Sequence, residues 1–296
     1  MSHWSLSLWA CVSATVASGA PAEPYPRAEL IIEPAELSKP EVSRRFVILD
    51  ARERAKYHDG HVAGAHWVDH NEWSKGFGNG DDREAWSRRL GNLGLDALAR
   101  VVVYDDNFAK DAARIWWILR YWGLTDVRLL NGGWKGWQAA GLPTEIQAPP
   151  TIEPTTPRMV AVDRRLARKE KLLASLTGKT LQIVDARSDG EFCGADALTN
   201  NRAGAIPGAK HLEWSDLIDK ETQRFQPASE LTRLFANAGI DLHRATATHC
   251  QSGGRASVMV FGLELMGATD VSNYYRGWSE WGNVEETPVV VDQPNY

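Results

Sequence analysis

The chain repeats itself, and the repeat limits it to folds that exist as two copies in tandem. Val47-Ile48-Leu49-Asp50-Ala51-Arg52 returns as Gln182-Ile183-Val184-Asp185-Ala186-Arg187, an offset of 135 residues. Gly60-His61-Val62-Ala63-Gly64-Ala65 returns as Gly204-Ala205-Ile206-Pro207-Gly208-Ala209 at an offset of 144, so nine extra residues lie between Glu191 and Gly204. Thr125-Asp126-Val127, and Gly133-Trp134 with Trp137, return at 144 as Thr269-Asp270-Val271, and Gly277-Trp278 with Trp281. Blocks in the same order identify one structural unit made twice. Pro149, Pro150, Pro154 and Pro157 mark the seam, because proline at this density excludes helix and gives an extended connector. The halves span 26–147 and 160–296, joined by a linker at 148–159.

Short apolar runs alternate with helical stretches in each half. Phe46–Leu49, Val101–Tyr104 and Val127–Leu130 read as buried strands, with Leu181–Val184, Ala245–Thr248 and Val271–Tyr274 as counterparts. Ala112–Trp122 and Ala256–Met266 have helical length and apolar density between them. The alternation predicts an α/β fold in which each half is a parallel sheet flanked by helices on both faces. Ligands in such sheets bind beyond the carboxyl ends of the strands.

Composition excludes several classes. A net charge of -5 gives no electrostatic footprint for nucleic acid. Cys11, Cys193 and Cys250 are too few for a disulfide framework and are spaced for no metal site. Residues 1–25 read as a leader: Trp4 to Ala20 is uncharged and ends in Ser18-Gly19-Ala20 before Pro21, although no Lys or Arg precedes it. An exported or periplasmic location is the expectation and a cytoplasmic one the alternative. Leu8-Trp9-Ala10-Cys11 loosely resembles a lipoprotein box, and the apolar run is short for a membrane span.

The chemistry concentrates in His249-Cys250-Gln251-Ser252-Gly253-Gly254-Arg255, between an expected strand and an expected helix. Gly253 and Gly254 let the turn curl tightly. Gln251, Ser252, Gly253 and Gly254 then aim backbone N–H groups inward at the positive end of the helix, and Arg255 adds a formal charge. These effects favour a thiolate at Cys250 and suit an anionic substrate. A buried cysteine beside a solvated arginine is the plainer alternative, which the glycines and arginine in one short loop disfavour.

From about residue 27 to Pro288 the chain resembles the tandem-domain rhodanese (thiosulfate sulfurtransferase) family, through its Asp-Ala-Arg, Gly-His-Val-Ala-Gly-Ala and Gly-Trp blocks. The loop is similar to that of bacterial members carrying Cys-Gln and an arginine. The resemblance implies that Cys250 takes sulfane sulfur from a small-molecule donor as a persulfide. It then passes the sulfur to a thiophilic acceptor, cyanide or a thiol (including a protein thiol), without metal or organic cofactor.

The offset of 144 carries Cys250 onto Asp106, which cannot hold sulfane sulfur, so the first half is expected to be inactive. Arg187 is a lesser substrate-binding candidate, since its repetition as Arg52 favours a structural ion pair with Asp185. Glu191 stands where family members often carry a substrate-holding arginine, which leaves Arg255 as the main anion ligand, with Arg187 or Arg202 able to fold in as substitutes. Ala205 replaces the family's histidine, while His61 keeps it in the inactive half. Strand alternation points His249 away from Cys250. Cys193 reads as incidental, and Trp278 and Trp281 as packing.

Three rival functions remain. Cysteine phosphatases place five residues between Cys and Arg, whereas four separate Cys250 from Arg255. A persulfide carrier or sensor without turnover would show the same loop. A 3-mercaptopyruvate sulfurtransferase would resemble Cys-Gly-Ser-Gly-Val-Thr there.

Overall fold

A computed structural model describes residues 23–149 and 151–291. The leader expectation falls on residues of which all but 23–25 lie outside this range, as does Cys11. The first half contains β1 (Ile31–Ile32), β2 (Val47–Asp50), β3 (His61–Val62), β4 (His66–Trp67), β5 (Arg100–Tyr104), β6 (Asp126–Leu130) and β7 (Thr144–Glu145). A parallel sheet runs in the order β1-β6-β5-β2-β4, and β3 pairs with β7 as an antiparallel ribbon. The second half repeats it with β8 (Gln182–Asp185), β9 (Lys210–His211), β10 (Thr246–His249) and β11 (Val271–Tyr274), ordered β11-β10-β8-β9 and parallel throughout. The bridge from Leu166 to Asn273 does beside β11 what β1 does beside β6.

The central strands are buried on both faces, which is why Val101-Val102-Val103-Tyr104 reads as a continuous apolar run. Its counterpart Thr246-Ala247-Thr248-His249 is equally buried but partly polar. The Thr246 and Thr248 hydroxyls donate to the carbonyls of Arg244 and Ala256, which offsets their burial. Registers align the repeats: Asp50 lies opposite Tyr104, and Asp185 opposite His249.

Five helices matter for the site: α1 (His70–Phe77), α2 (Lys110–Tyr121), α3 (Asp189–Phe192), α4 (Gly254–Leu265) and α5 (Gly277–Trp281). Asp69 starts α1 by accepting from the N–H groups of Asn71 and Glu72. Helix α4 is mostly apolar and buried at every residue but Arg255, because it lies between the sheet of its own half and α2 of the other. Trp116 of α2 meets Phe261 of α4 edge-to-face at 5.0 Å between centroids, and both are fully buried. One continuous core therefore joins the halves. Residues 151–159 of the linker form no helix or strand and are held down: Thr155 N–H donates to Gly91 O, and Met159 enters the core. Tyr25 crosses to the second half, its hydroxyl on the Phe225 and Gln226 carbonyls. Among the described residues, no helix is long and apolar enough to cross a membrane.

Candidate active site

Cys250 is the first residue past β10, only 1% exposed, and the loop it opens leads directly into α4. The loop carbonyls are turned outward by named partners. Trp278 N–H donates to Cys250 O at 2.7 Å and Ser279 N–H to Gln251 O at 3.0 Å. Gly253 O accepts from Ser257 N–H, the Ser257 hydroxyl and Asn273 Nδ2. Gly277 makes the clamp possible: at φ +55°, a Cβ there would stand 2.2 Å from Cys250 O. With the carbonyls engaged outside, backbone N–H groups remain for the loop interior.

The first half shows what such an interior holds, and it corrects the assignment of Asp106. Trp134 N–H donates to Asp105 O and Gly133 closes on the same carbonyl, as Trp278 and Gly277 do on Cys250. Asp105, not Asp106, is therefore the structural counterpart of Cys250. The first-half loop is one residue longer before its helix, so the offset changes inside it. Asp106 lies nearer the surface, paired with Lys56 at 2.6 Å. The buried Asp105 carboxylate accepts from four backbone N–H groups, those of Asn107, Ala109, Asp111 and Ala112, at 2.8–3.1 Å. Burial, aided by Asp111, still pushes it up to about 7. Along the aligned helix starts, Gly253, Arg255 and Ala256 occupy the positions that match Ala109, Asp111 and Ala112.

Beneath the loop, Arg187 donates from Nε and Nη2 to Asp185 (the closest contact 2.6 Å) and from Nη2 to Gly204 O, with its guanidinium 4.2 Å from the Trp278 ring. Arg52, Asp50, Gly60 and Trp134 repeat this arrangement. Arg187 is 1% exposed, so the substrate-binding expectation is corrected: it is a strut, held by the ion pair that its repetition suggested. Arg202 is engaged too, donating to the carbonyls of Trp281, Gly282, Val284, Glu285 and Thr287, where it caps the end of α5. His249 faces Asp185, Nε2 to Oδ2 3.4 Å, and its ring stacks 6.5 Å from that of Trp278. Burial, together with Arg187, outweighs Asp185 and holds it down to about 4, so it is neutral at physiological pH.

The remaining loop residues separate by role. Gly253 is left-handed at φ +82° and packed against the Tyr275 ring, as the tight turn requires. Gly254 is not left-handed; a Cβ there would fall 2.3 Å from Nη2 of Arg114, so its smallness admits a side chain from the other half. Ser252 is exposed, and Gln251 exchanges two amide hydrogen bonds with Asn200 of the nine-residue insertion. Arg255 is not the free anion ligand expected from the sequence. Its two Nη atoms close on Glu191 at 2.5 and 2.8 Å. Burial raises the Glu191 carboxyl, but Arg255 and Ser188 overcome it and leave it below its ordinary value.

Glu191→Gln therefore releases a guanidinium beside the loop. It is expected to raise kcat/KM for an anionic donor by about three- to tenfold, up to roughly 1.4 kcal/mol. Steady-state kinetics at low salt check this, and a fall in kcat/KM would contradict it.

Sequence reasoning missed Asn200, Gly277 and Arg114. Gly277 was legible as a repeated glycine next to a repeated tryptophan; Asn200 and Arg114 reach the loop only through the fold.

A family model described as the rhodanese-like domain matches residues 33–140 and again 169–283. The thiosulfate sulfurtransferase of Pseudomonas aeruginosa is 30% identical over 269 residues, 88% of this chain and 97% of its own length. The 3-mercaptopyruvate sulfurtransferase of Rattus norvegicus is 29% identical across 87% of this chain and 92% of its own. The crystal structure of YnjE superposes with a TM-score of 0.82 at 25% identity, covering 92% of this chain and 70% of that one. Matched in both halves around one buried cysteine loop, the chain belongs to the rhodanese family as two rhodanese-like domains in tandem.

Proposed function

We propose that the protein is a sulfurtransferase that moves sulfane sulfur from thiosulfate to cyanide or a thiol through a persulfide on Cys250. The observation that carries this reading is the carboxylate of Asp105 in the equivalent first-half cradle. An aspartate places its charged oxygen as many bonds from Cβ as a cysteine persulfide places its terminal sulfur. The first half thus holds, in the equivalent loop, a group of the intermediate's length that is ionised in part at neutral pH, on N–H groups whose aligned positions in the second half are Gly253, Arg255 and Ala256. Thiolate at Cys250 attacks the outer sulfur of thiosulfate, the S–S bond of the donor breaks, and sulfite leaves with the electron pair. Cyanide or a thiolate then takes the outer sulfur from the persulfide and restores the Cys250 thiolate. The names of the relatives support sulfur transfer, and they divide between two donors.

Thiosulfate fits the wall better than 3-mercaptopyruvate, whose carboxylate and ketone also need donors. Arg255 is closed on Glu191, while Arg187 and Arg202 serve Asp185 and the α5 carbonyls. We expect kcat/KM for thiosulfate to exceed that for 3-mercaptopyruvate at least tenfold, or about 1.4 kcal/mol in transition-state binding. Parallel assays with cyanide as acceptor check it. A preference for 3-mercaptopyruvate would overturn the donor, and one stoichiometric sulfur loading without turnover would favour a carrier.

A further inference from the structure

We propose that Arg114, from the catalytically silent first half, is the residue that recognises the charge of the sulfur donor at the Cys250 loop. The inference rests on the thiosulfate reading above and adds a specificity residue to it. Arg114 projects from α2, which packs against α4, and its guanidinium lies on the backbone of Gly254. Gly254 is the first residue of α4, four past Cys250 and next to Arg255. A side chain at 254 would collide with Nη2, Cζ and Nε of Arg114, so the glycine and the arginine fit each other.

Three further observations distinguish Arg114 from a structural arginine. Its hydrogen-bond partners are hydroxyls, Ser74 Oγ from α1 and Tyr275 Oη at 3.3 Å, and it lies 5.7 Å from the Tyr275 ring centroid. Among the described residues no carboxylate is paired with it, unlike Arg52, Arg187 and Arg255. Tyr275 also backs Gly253, so one tyrosine packs against the loop and tethers the arginine together. Hydroxyl tethers fix the position of a guanidinium while leaving its charge uncompensated, which suits a group kept for an incoming anion. Arg114 is half-buried, so that charge acts through a medium less screening than bulk water.

The mapping is asymmetric. In the aligned helices Arg114 stands where α4 carries Val258, and the cradle near Arg114 belongs to the other half. The first half therefore does more than complete the core. It supplies a cation that the active half, with Arg255 closed on Glu191, does not leave free.

The test uses the full chain with thiosulfate, a dianion, and methanethiosulfonate, a monoanionic donor of the same sulfane sulfur. Arg114→Gln is expected to raise KM for thiosulfate about tenfold or more with kcat within about twofold, and to raise KM for methanethiosulfonate about threefold or less. Arg114→Lys, which keeps the charge and loses the fork, should fall between wild type and Arg114→Gln. A merely structural role would move kcat and both donors alike, and that outcome, or unchanged KM values in a wild type that turns over thiosulfate, would overturn the inference. A wild-type chain that takes no sulfur from thiosulfate overturns instead the reading beneath it. Should Arg114→Gln not fold, Arg114→Lys and Ser74→Ala, which loosens the tether, decide together: a thiosulfate KM raised in either, with a smaller rise for methanethiosulfonate, supports charge recognition, and unchanged or equally shifted KM values in both overturn it.

Discussion

Arg187→Ala is expected to destabilise the protein by about 3–5 kcal/mol, because it strands a fully buried Asp185 without its cation. The size follows from burial. The exposed Lys56–Asp106 pair has comparable separation yet is worth at most about 1 kcal/mol, since water already stabilises both charges. Asp185 has no such recourse: its remaining polar neighbours are the backbone N–H of residue 187 at 3.0 Å and His249, neutral and 3.4 Å away, neither of them a cation. Against burial, His249 (in its protonated form, below about pH 4) and Arg187 hold the Asp185 carboxyl down to about 2, so with Arg187 alone beside it Asp185 stays charged in the folded protein throughout the neutral range. The folded group thus contributes stability above its unfolded value that is lost as pH falls toward 2. Arg187→Ala also removes the donor to Gly204 O and the cation beneath Trp278, whose N–H clamps the Cys250 carbonyl. Denaturant unfolding checks the magnitude, with Arg52→Ala as the first-half control of similar cost. A loss below about 1 kcal/mol in both variants would show that the buried pair is not the strut described here.

Much of this was legible in the sequence for a physical reason. Residues that close a loop locally keep local spacing, so Cys250, Gly253 and the Asp-Ala-Arg block were readable from neighbours alone. β11 falls on Val271–Tyr274 as expected, β5 and β6 begin one residue earlier than expected, and β2, β8 and β10 are shifted whole by one residue toward the C-terminus. The errors arose where geometry overrides register. Asp106 was preferred to Asp105 because a constant offset cannot register one extra loop residue; only the Trp134 hydrogen bond to Asp105 O does so. Arg255 looked free because its partner Glu191 is 64 positions away. Gly254 looked like a turn residue, whereas its constraint comes from Arg114, on a helix of the other half.

Cys250→Ser should lower turnover with thiosulfate and cyanide by at least about 10³-fold while leaving stability nearly unchanged. The hydroxyl fits the space of the thiol, and the loop carbonyls keep Trp278, Ser279 and Asn273 as partners. It does not ionise near neutral pH and forms no persulfide, so the reaction loses its nucleophile rather than part of its binding. Cys193→Ser is the matched control, because Cys193 lies at the end of α3 in the insertion and is expected to have no part in transfer.

The central claim is that the Cys250 loop carries sulfur, and intact-mass measurement after incubation with thiosulfate tests it most directly. The account predicts one added sulfur atom per chain, located on the peptide containing Cys250, removed by cyanide, retained in Cys193→Ser and absent in Cys250→Ser. Loading that persists in Cys250→Ser, or a wild-type chain that gains no sulfur from thiosulfate or 3-mercaptopyruvate, would contradict it.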